Sequence, residues 1–194
     1  MVKVAVISGS ASPHRTGAPI VDWIAGKLRE REGIEVDVVD LQELALPFYD
    51  EPNLPRLRQY VHQHTKDWSA RVEAADAFVF VTPEYNGSFP ALLKNALDYV
   101  HHEWHYKPAG VVTYGGGLSA GFRGAQALRQ VLSALYMLPI QEAVAIPFVK
   151  EHLEGGTFHP TPGMELAADA MINEVLRTQG ALATLTMPEP QTDY

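Results

Sequence analysis

Cysteine is missing from this sequence of 194 residues. Its absence excludes disulfides, thiolate nucleophiles, iron–sulfur clusters and cysteine-ligated zinc sites. Long hydrophobic runs are missing too, since none approaches the roughly 20 apolar residues of a membrane-spanning helix. The N-terminal residues 1–8 enter a Gly/Ser turn without the cleavage region of a signal peptide. We therefore expect a cytoplasmic protein with no membrane partner.

Positive charge is also scarce, because 15 Lys and Arg residues stand against 23 Asp and Glu residues, giving a net charge of −8. This balance argues against the basic surface that nucleic-acid binding needs, so no nucleic-acid partner is expected. A small anion can still bind where a loop offers backbone N–H groups and a cation. A binding site is therefore expected in the loops.

Length and composition predict one globular domain over residues 1–186, followed by a flexible tail at 187–194. Hydrophobic residues make up 46% of the chain, which is enough for a packed core. Five short apolar runs rich in β-branched residues predict buried strands. They cover residues 2–8, 36–40, 77–82, 110–113 and 143–146. Amphipathic spacing predicts helices between and after them, at 20–28, 57–68, 93–100, 128–135 and 164–185.

The alternation of strands and helices predicts parallel βαβ units, with helices on both faces of one open sheet. Ligands bind such sheets beyond the carboxyl ends of the strands, where the strand order reverses. The loops after the first, third and fourth strands are therefore the candidate site. Two longer irregular segments, 41–55 and 147–163, are interpreted as surface loops, at a rim or a subunit contact.

The loop after the first strand, residues 9–19, suits a phosphate. Its glycines allow backbone N–H groups to approach a ligand closely, and its hydroxyls and one arginine add donors. The N-terminus of the following helix adds the positive end of the helix dipole. The donors are Ser10, Ser12, Arg15, Thr16 and Gly17. An ordinary βα turn with a Ser/Thr cap would explain the same residues. The loop after the third strand offers the Tyr85 ring, the Asn86 amide and Gly87 to a planar ligand.

These segments resemble the NADPH-dependent FMN reductase family of flavodoxin-like proteins, between about Lys3 and Leu138. The resemblance rests on Gly9-Ser10 with Arg15, on Pro-Glu-Tyr-Asn-Gly-Ser at 83–88 followed by Leu-Lys-Asn-Ala at 93–96, and on Tyr-Gly-Gly-Gly at 114–117 ahead of Leu128-Arg129. It implies a three-layer α/β sandwich with a five-stranded parallel sheet of order 2-1-3-4-5. It also implies FMN as cofactor and NADPH or NADH as co-substrate.

The resemblance assigns FMN contacts to three groups of residues, and no side chain is expected to be catalytic, because the flavin carries the chemistry. The phosphate contacts are Ser10, Ser12, Arg15, Thr16, Gly17 and Ala18; the ring and ribityl contacts are Pro83, Glu84, Tyr85, Asn86 and Gly87; and the residues flanking the ring are Tyr114, Gly115, Gly116 and Gly117. Members often carry arginine where this chain has Ser12. The family also implies a homodimer or homotetramer.

The implied reaction passes a hydride from NAD(P)H to the flavin and then to a small acceptor such as free flavin, a quinone or an azo or nitro compound, in a ping-pong cycle. One alternative is a flavodoxin-type electron carrier. Another is a serine hydrolase, because residues 117–121 fit GxSxG around Ser119, with Glu142 and His152 or His159 downstream. Residues 115–120 also fit the dinucleotide pattern GxGxxA, although not at the first βα turn where that pattern belongs.

Histidines cluster after the third predicted helix, at His101, His102 and His105, with Glu103 among them. The spacing of His101 and His105 could hold a metal, but the HExxH order of zinc proteases is absent. Histidines near a helix C-terminus commonly bond the last carbonyl groups. We therefore expect these residues to be structural, with no metal site.

Overall fold

The structure of the chain, a computed structural model, describes residues 1–185. The expected tail at 187–194 lies outside the described residues. In chain order the elements are β1 (Val2–Ser8), α1 (Ala18–Arg29), β2 (Ile34–Asp40), α2 (Leu41–Leu44), α3 (Gln63–Glu73), β3 (Ala77–Pro83), α4 (Ala91–Asp98), β4 (Pro108–Tyr114), α5 (Phe122–Ala134), β5 (Leu138–Ile146), β6 (Leu153–Glu154), β7 (Thr157–Phe158) and α6 (Pro162–Leu182). Single 3-10 turns cover Pro55–Leu57, His102–Trp104 and Val149–His152.

The strands β1 to β5 form one parallel sheet of order β2-β1-β3-β4-β5. This order confirms the α/β, flavodoxin-like expectation. The strand order reverses between β1 and β3, so the helices that follow these two strands lie on opposite faces of the sheet. Ligands bind such sheets at this switch point. No helix among residues 1–185 has the length and apolar character needed to cross a membrane.

Alternate residues of each strand point to two separate cores, as the period of two in a strand requires. Val4 and Val6 of β1 pack with α1 and α6 on one face, whereas Ala5 and Ile7 pack with α3, α4 and α5 on the other. All seven residues of β3 and of β4 are buried. Helices therefore cover both faces, which explains why these strands appear in the sequence as continuous apolar runs.

Strand β5 begins at Leu138, five residues before the predicted start at residue 143. The sequence pattern does not predict this part of the strand, because it contains Pro139, Gln141 and Glu142. Polar residues and proline are unusual in a central strand. As the last strand of the sheet, β5 can expose one face, and an irregularity in its register with β4 accommodates the extra residues.

The predicted helix at 57–68 is wrong in its bounds. Residues 55–57 form a 3-10 turn that ends at Arg58 in the left-handed conformation, and α3 begins only at Gln63. A short helix and a two-stranded hairpin also lie within the predicted irregular segments. Asp40 caps the short helix α2 by accepting from the Gln42 amide, and Gly155 and Gly156, both with positive φ, connect the hairpin β6–β7.

Candidate functional site

The loops at the carboxyl ends of β1, β3 and β4 lie side by side. The Ser10 and Tyr85 side-chain oxygens are 3.4 Å apart, which joins the first loop to the second. The first loop also contacts β4, because a Cβ atom built on Gly17 would lie 2.4 Å from the Tyr114 hydroxyl. The topology thus brings three distant segments to one place. We call them the carboxyl-edge loops: residues 9–17, 84–88 and 115–121.

The first loop is folded by its own serines. Ser10 Oγ accepts from the Ser12 amide at 3.2 Å, and Ser12 Oγ accepts from the His14 amide at 3.3 Å. The Ser12 carbonyl also accepts from the Arg15 amide, and Arg15 has a φ of +52°. Ser12 therefore stabilises the turn of the loop, at the position where the resemblance led us to compare it with an arginine.

Four amide groups of the first loop donate to no acceptor among residues 1–185: those of Ser10, Ala11, Thr16 and Gly17. Ser10 and Gly17 are buried residues. Because a buried N–H group without a partner costs free energy, such donors beside a helix start are suited to an anion. The Ala18 amide differs, since it donates to the Arg15 carbonyl. The residues present therefore fit a bound phosphate group.

Arg15 lines the same cleft as Ser10, Gly17 and Ala18, but its guanidinium is paired elsewhere. It lies 2.5 Å from the Asp40 carboxylate, donates to the Gln42 side chain at 2.9 Å, and lies 3.8 Å from Glu43. Asp40 is the last residue of β2, and Gln42 and Glu43 lie in α2. All three are distant from Arg15 in the sequence and reach it only because β2 pairs with β1 in the folded sheet.

The second loop contains a tight turn formed by Asn86 and Gly87, with φ values of +52° and +84°. The Tyr85 amide donates to the Ser88 carbonyl at 2.7 Å, and the Ser88 amide donates back at 3.0 Å. Asn-Gly is typical of a type I′ turn, in which both central residues have positive φ. The turn leaves the Tyr85 ring 46% exposed, so it is available to a planar ligand. Pro83, at the end of β3, is buried.

Glu84 connects the second loop to the third. Its carboxylate accepts from the Arg123 amide at 3.1 Å and lies 3.7 Å from the Arg123 guanidinium. Since Arg123 is in the first turn of α5, Glu84 caps that helix from a neighbouring loop. The approach is close, because a Cβ atom on Gly124 would lie 3.0 Å from the Ser88 carbonyl oxygen. The motif predicts a ligand contact for Glu84, whereas its capping contact depends on the packing of α5 against the second loop.

The third loop starts at Tyr114, which is 4% exposed. Burial raises the pKa of Tyr114 to about 12, so its hydroxyl is neutral and can donate at physiological pH. Gly115 is fixed by two backbone hydrogen bonds, to Ile146 and from Val149. Among residues 1–185, no atom lies within 4 Å of a Cβ built on Gly116 or Gly117, and their amides have no acceptor.

Two residues that the sequence analysis did not select shape this loop. Gly121 has a φ of +81°, and a Cβ atom there would lie 2.0 Å from Thr113 Oγ1. Thr113 is buried and donates to the Ala120 carbonyl at 3.1 Å. A glycine just before a helix was the available signal, since glycine is tolerated where φ is positive.

The hydrolase alternative finds no supporting geometry. Ser119 is exposed, and its carbonyl accepts from the Phe122 amide at 2.7 Å. Within the described part of the chain no histidine bonds the Ser119 hydroxyl; His152 instead packs on Phe158, and His159 is exposed. A nucleophilic serine would need a base within hydrogen-bond reach.

Comparisons with known proteins agree with the motifs. A model of the NADPH-dependent FMN reductase family matches residues 2–151. An NAD(P)H-dependent FMN reductase of Schizosaccharomyces pombe is 41% identical over 150 residues, covering 75% of this chain and 74% of that protein. One of Saccharomyces cerevisiae is 39% identical over 158 residues, covering 75% and 82%.

Solved structures share the fold. A flavoenzyme NAD(P)H:(acceptor) oxidoreductase of Paracoccus denitrificans superimposes with a TM-score of 0.71 at 23% identity, covering 94% of this chain and 98% of that one. A flavodoxin of Pseudomonas aeruginosa superimposes with a TM-score of 0.55 at 18% identity, covering 92% and 99%. Flavoenzymes and electron carriers therefore share this architecture, so the fold alone does not identify the function. The sequence relatives named above are enzymes.

Proposed function

Since this chain belongs to the NADPH-dependent FMN reductase family and is therefore an FMN-dependent enzyme that oxidises NAD(P)H, we propose that its carboxyl-edge loops bind the FMN. The observation that carries this proposal is the pair of unpaired amides on the buried residues Ser10 and Gly17. Buried donors normally have acceptors, and a phosphate group would supply them.

The phosphate would be held by Ser10, Ser12, Thr16 and Gly17, beside the first turn of α1. Arg15 belongs to the proposed set because it lines the cleft, although Asp40 and Glu43 also hold its guanidinium. A phosphate held mainly by backbone donors needs no forked arginine contact.

The ring and ribityl chain would be held by Pro83, Glu84, Tyr85, Asn86 and Gly87 on one side and by Tyr114, Gly115, Gly116 and Gly117 on the other. When bound, FMN supplies the group that accepts and releases the hydride. The protein orients the reactants, and the free Gly116 and Gly117 amides can stabilise negative charge. The neutral Tyr114 hydroxyl can donate to a phosphate or ribityl oxygen.

This assignment is tested by titrating the apoprotein with FMN and following flavin fluorescence. Stoichiometric quenching at one FMN per chain is expected. Absence of quenching by protein with a native circular dichroism spectrum would refute the assignment of the site.

The second substrate is proposed to be a small electron acceptor, such as free flavin, a quinone or an azo or nitro compound. Relatives include an FMN-dependent NADPH-azoreductase of Staphylococcus haemolyticus, 30% identical over 118 residues. The cycle is proposed to be ping-pong, with NAD(P)H and the acceptor using the exposed flavin face in turn. Parallel double-reciprocal lines are expected with varied NADPH or NADH, and intersecting lines would contradict the scheme.

The enzyme is further proposed to be a cytoplasmic homodimer or homotetramer. Leu118 and Phe122, 85% and 58% exposed, lie within or beside the carboxyl-edge loops, and Phe48 in the loop after α2 is 85% exposed. Exposed apolar side chains of this size favour a protein contact. Sedimentation equilibrium tests the assembly, since a monomer at micromolar concentration would contradict it. Cell fractionation tests the location.

A further inference from the structure

Three histidines form a compact group away from the carboxyl-edge loops. His101, His102 and His105 lie between α4 and β4, around the 3-10 turn His102–Trp104, and each offers a ring nitrogen within 4.8 Å of the other two. Because this segment leads into the start of β4, the group lies at the opposite end of the sheet from the proposed FMN site. All three residues are half-buried, so solvent can reach them.

Their hydrogen bonds differ from the expected ones. His102 Nε2 lies 2.8 Å from the Arg56 carbonyl oxygen, and His105 Nε2 lies 3.0 Å from His101 Nδ1. None of these rings bonds a carbonyl group of α4, so the expectation that they satisfy the end of that helix is wrong. The reason is that the chain turns sharply after α4 and directs the rings toward each other.

The His102 contact is the kind that orients a metal ligand. A carbonyl oxygen only accepts, so His102 Nε2 must carry the proton, and Nδ1 retains a free lone pair. Metal-binding histidines commonly donate their second ring N–H to a backbone carbonyl in this way. His101 and His105 share one proton between two facing nitrogens, and an ion between them would replace that hydrogen bond.

The backbone that carries the rings is held firmly. Trp104 is fully buried and donates from Nε1 to the Leu97 carbonyl at 3.1 Å, and the buried Glu103 carboxylate accepts from the His101 amide at 3.1 Å. The buried Trp104 and Glu103 therefore fix the backbone from which the three rings extend.

We propose that His101, His102 and His105 bind one divalent transition-metal ion, with Zn²⁺ as the best match and water as the fourth ligand. Imidazole suits zinc, copper and nickel. Tetrahedral zinc with Zn–N bonds of about 2.0–2.1 Å requires ring nitrogens about 3.4 Å apart. In the observed group His105 Nε2 lies 3.0 Å from His101 Nδ1, and the three ligand nitrogens all lie within 4.8 Å of one another. The proposed metal site lies apart from the proposed FMN site, so metal binding would not depend on FMN.

The test uses untagged, FMN-loaded protein treated with a chelator and titrated with Zn²⁺ by calorimetry, and with Co²⁺ by visible absorption. One ion per chain is expected, with the intense Co²⁺ bands of a tetrahedral site. His105→Gln and His101→Gln should each weaken Zn²⁺ binding at least tenfold.

His64→Gln is the matched control, because His64 stacks on His62 and contacts the Asp50 carboxylate outside the group. This variant should bind Zn²⁺ as the wild type does. The proposal is overturned if the wild type binds no stoichiometric Zn²⁺, or if binding survives both cluster substitutions, or if His64→Gln loses it equally. FMN content and circular dichroism of each variant verify the fold, so failure here leaves the FMN assignment unaffected.

Discussion

The carboxyl-edge loops and the side of the sheet covered by α3 differ in whether their polar groups have hydrogen-bond partners. In the loops, backbone amides such as those of Ser10 and Gly17 have no acceptor in the described part of the chain. Under α3, Glu103 is 1% exposed, and its carboxylate accepts from the Tyr60 hydroxyl at 2.9 Å and the Ser69 hydroxyl at 2.6 Å. Paired groups stabilise the fold, whereas unpaired donors are retained where a ligand will accept from them.

A second set of hydrogen-bonded polar side chains also involves α3. Arg71 of α3 donates to both oxygens of Asp37 in β2, at 2.8 and 2.7 Å. We call Ser69 and Arg71 with their partners Tyr60, Glu103 and Asp37 the α3 flank. Substitutions there should alter stability and leave FMN binding intact, and substitutions in the loops should do the reverse.

The largest effect is expected from Glu103→Ala on the α3 flank. It would leave the buried Ser69 hydroxyl without its acceptor and the half-buried Tyr60 hydroxyl with only the Pro55 carbonyl, at a cost of about 3 kcal/mol in the free energy of unfolding. Urea unfolding measures this loss, with the exposed Glu154→Ala as the control. FMN affinity of the folded variant should stay within twofold, and a large loss of FMN affinity would break the comparison.

In the loops, Gly17→Ala should weaken FMN binding at least tenfold, or about 1.4 kcal/mol. The new Cβ would lie 2.4 Å from the Tyr114 hydroxyl, so either the loop or the tyrosine must move. Gly26→Ala in α1 is the matched control, because nothing lies within 4 Å of its built Cβ. Fluorescence titration with FMN measures the affinity of both variants. Equal FMN affinities would contradict the role of Gly17.

The charged pair of the α3 flank should show a dependence on pH. The hydrogen bonds from Arg71 hold the pKa of Asp37 below its usual value. The stabilisation is therefore present above about pH 4, the unfolded carboxyl value, and is lost as the pH falls through the lower folded value. Asp37→Asn should cost about 1 kcal/mol at pH 7, after solvent screening of this partly exposed pair.

The difference between wild type and Asp37→Asn should shrink as urea unfolding is repeated at pH 4 and then pH 3. Asp98→Asn is a control, since it breaks an exposed pair with Lys94 and should change stability by less than about 0.5 kcal/mol. A difference for Asp37→Asn that grows on acidification would refute the assignment.

The smallest effect should come from the contact that links two of the loops. Glu84→Gln removes the charge that caps α5 and should cost about 0.5 kcal/mol. Arg123→Ala keeps the capped amide and loses only a 3.7 Å ion pair of a side chain that is 73% exposed, so it should cost less. Unfolding measurements that reverse this order would mean that the ion pair, and not the helix cap, carries the contact.

Much of the fold was predictable because strands buried on both faces leave a continuous apolar run. β1 and β3 were placed within one residue of their observed bounds. β5 was shortened because an edge strand tolerates Pro139 and Gln141, and α3 was placed too early because Leu57 and Tyr60 have helical spacing around a 3-10 turn. Local pattern cannot reveal which of two competing local structures tertiary packing selects.

The sequence by itself determined the chain of βα units, the three loops that carry the motifs, and the family, because these depend on residue order and on local turn chemistry. Only the tertiary structure decided that Glu84 caps α5, that Asp40 pairs with Arg15, that Tyr114 lies against Gly17, and that three histidines face one another. Each of these contacts joins residues whose distance depends on packing and strand order, or on how the chain turns after a helix. A linear pattern contains no record of those distances.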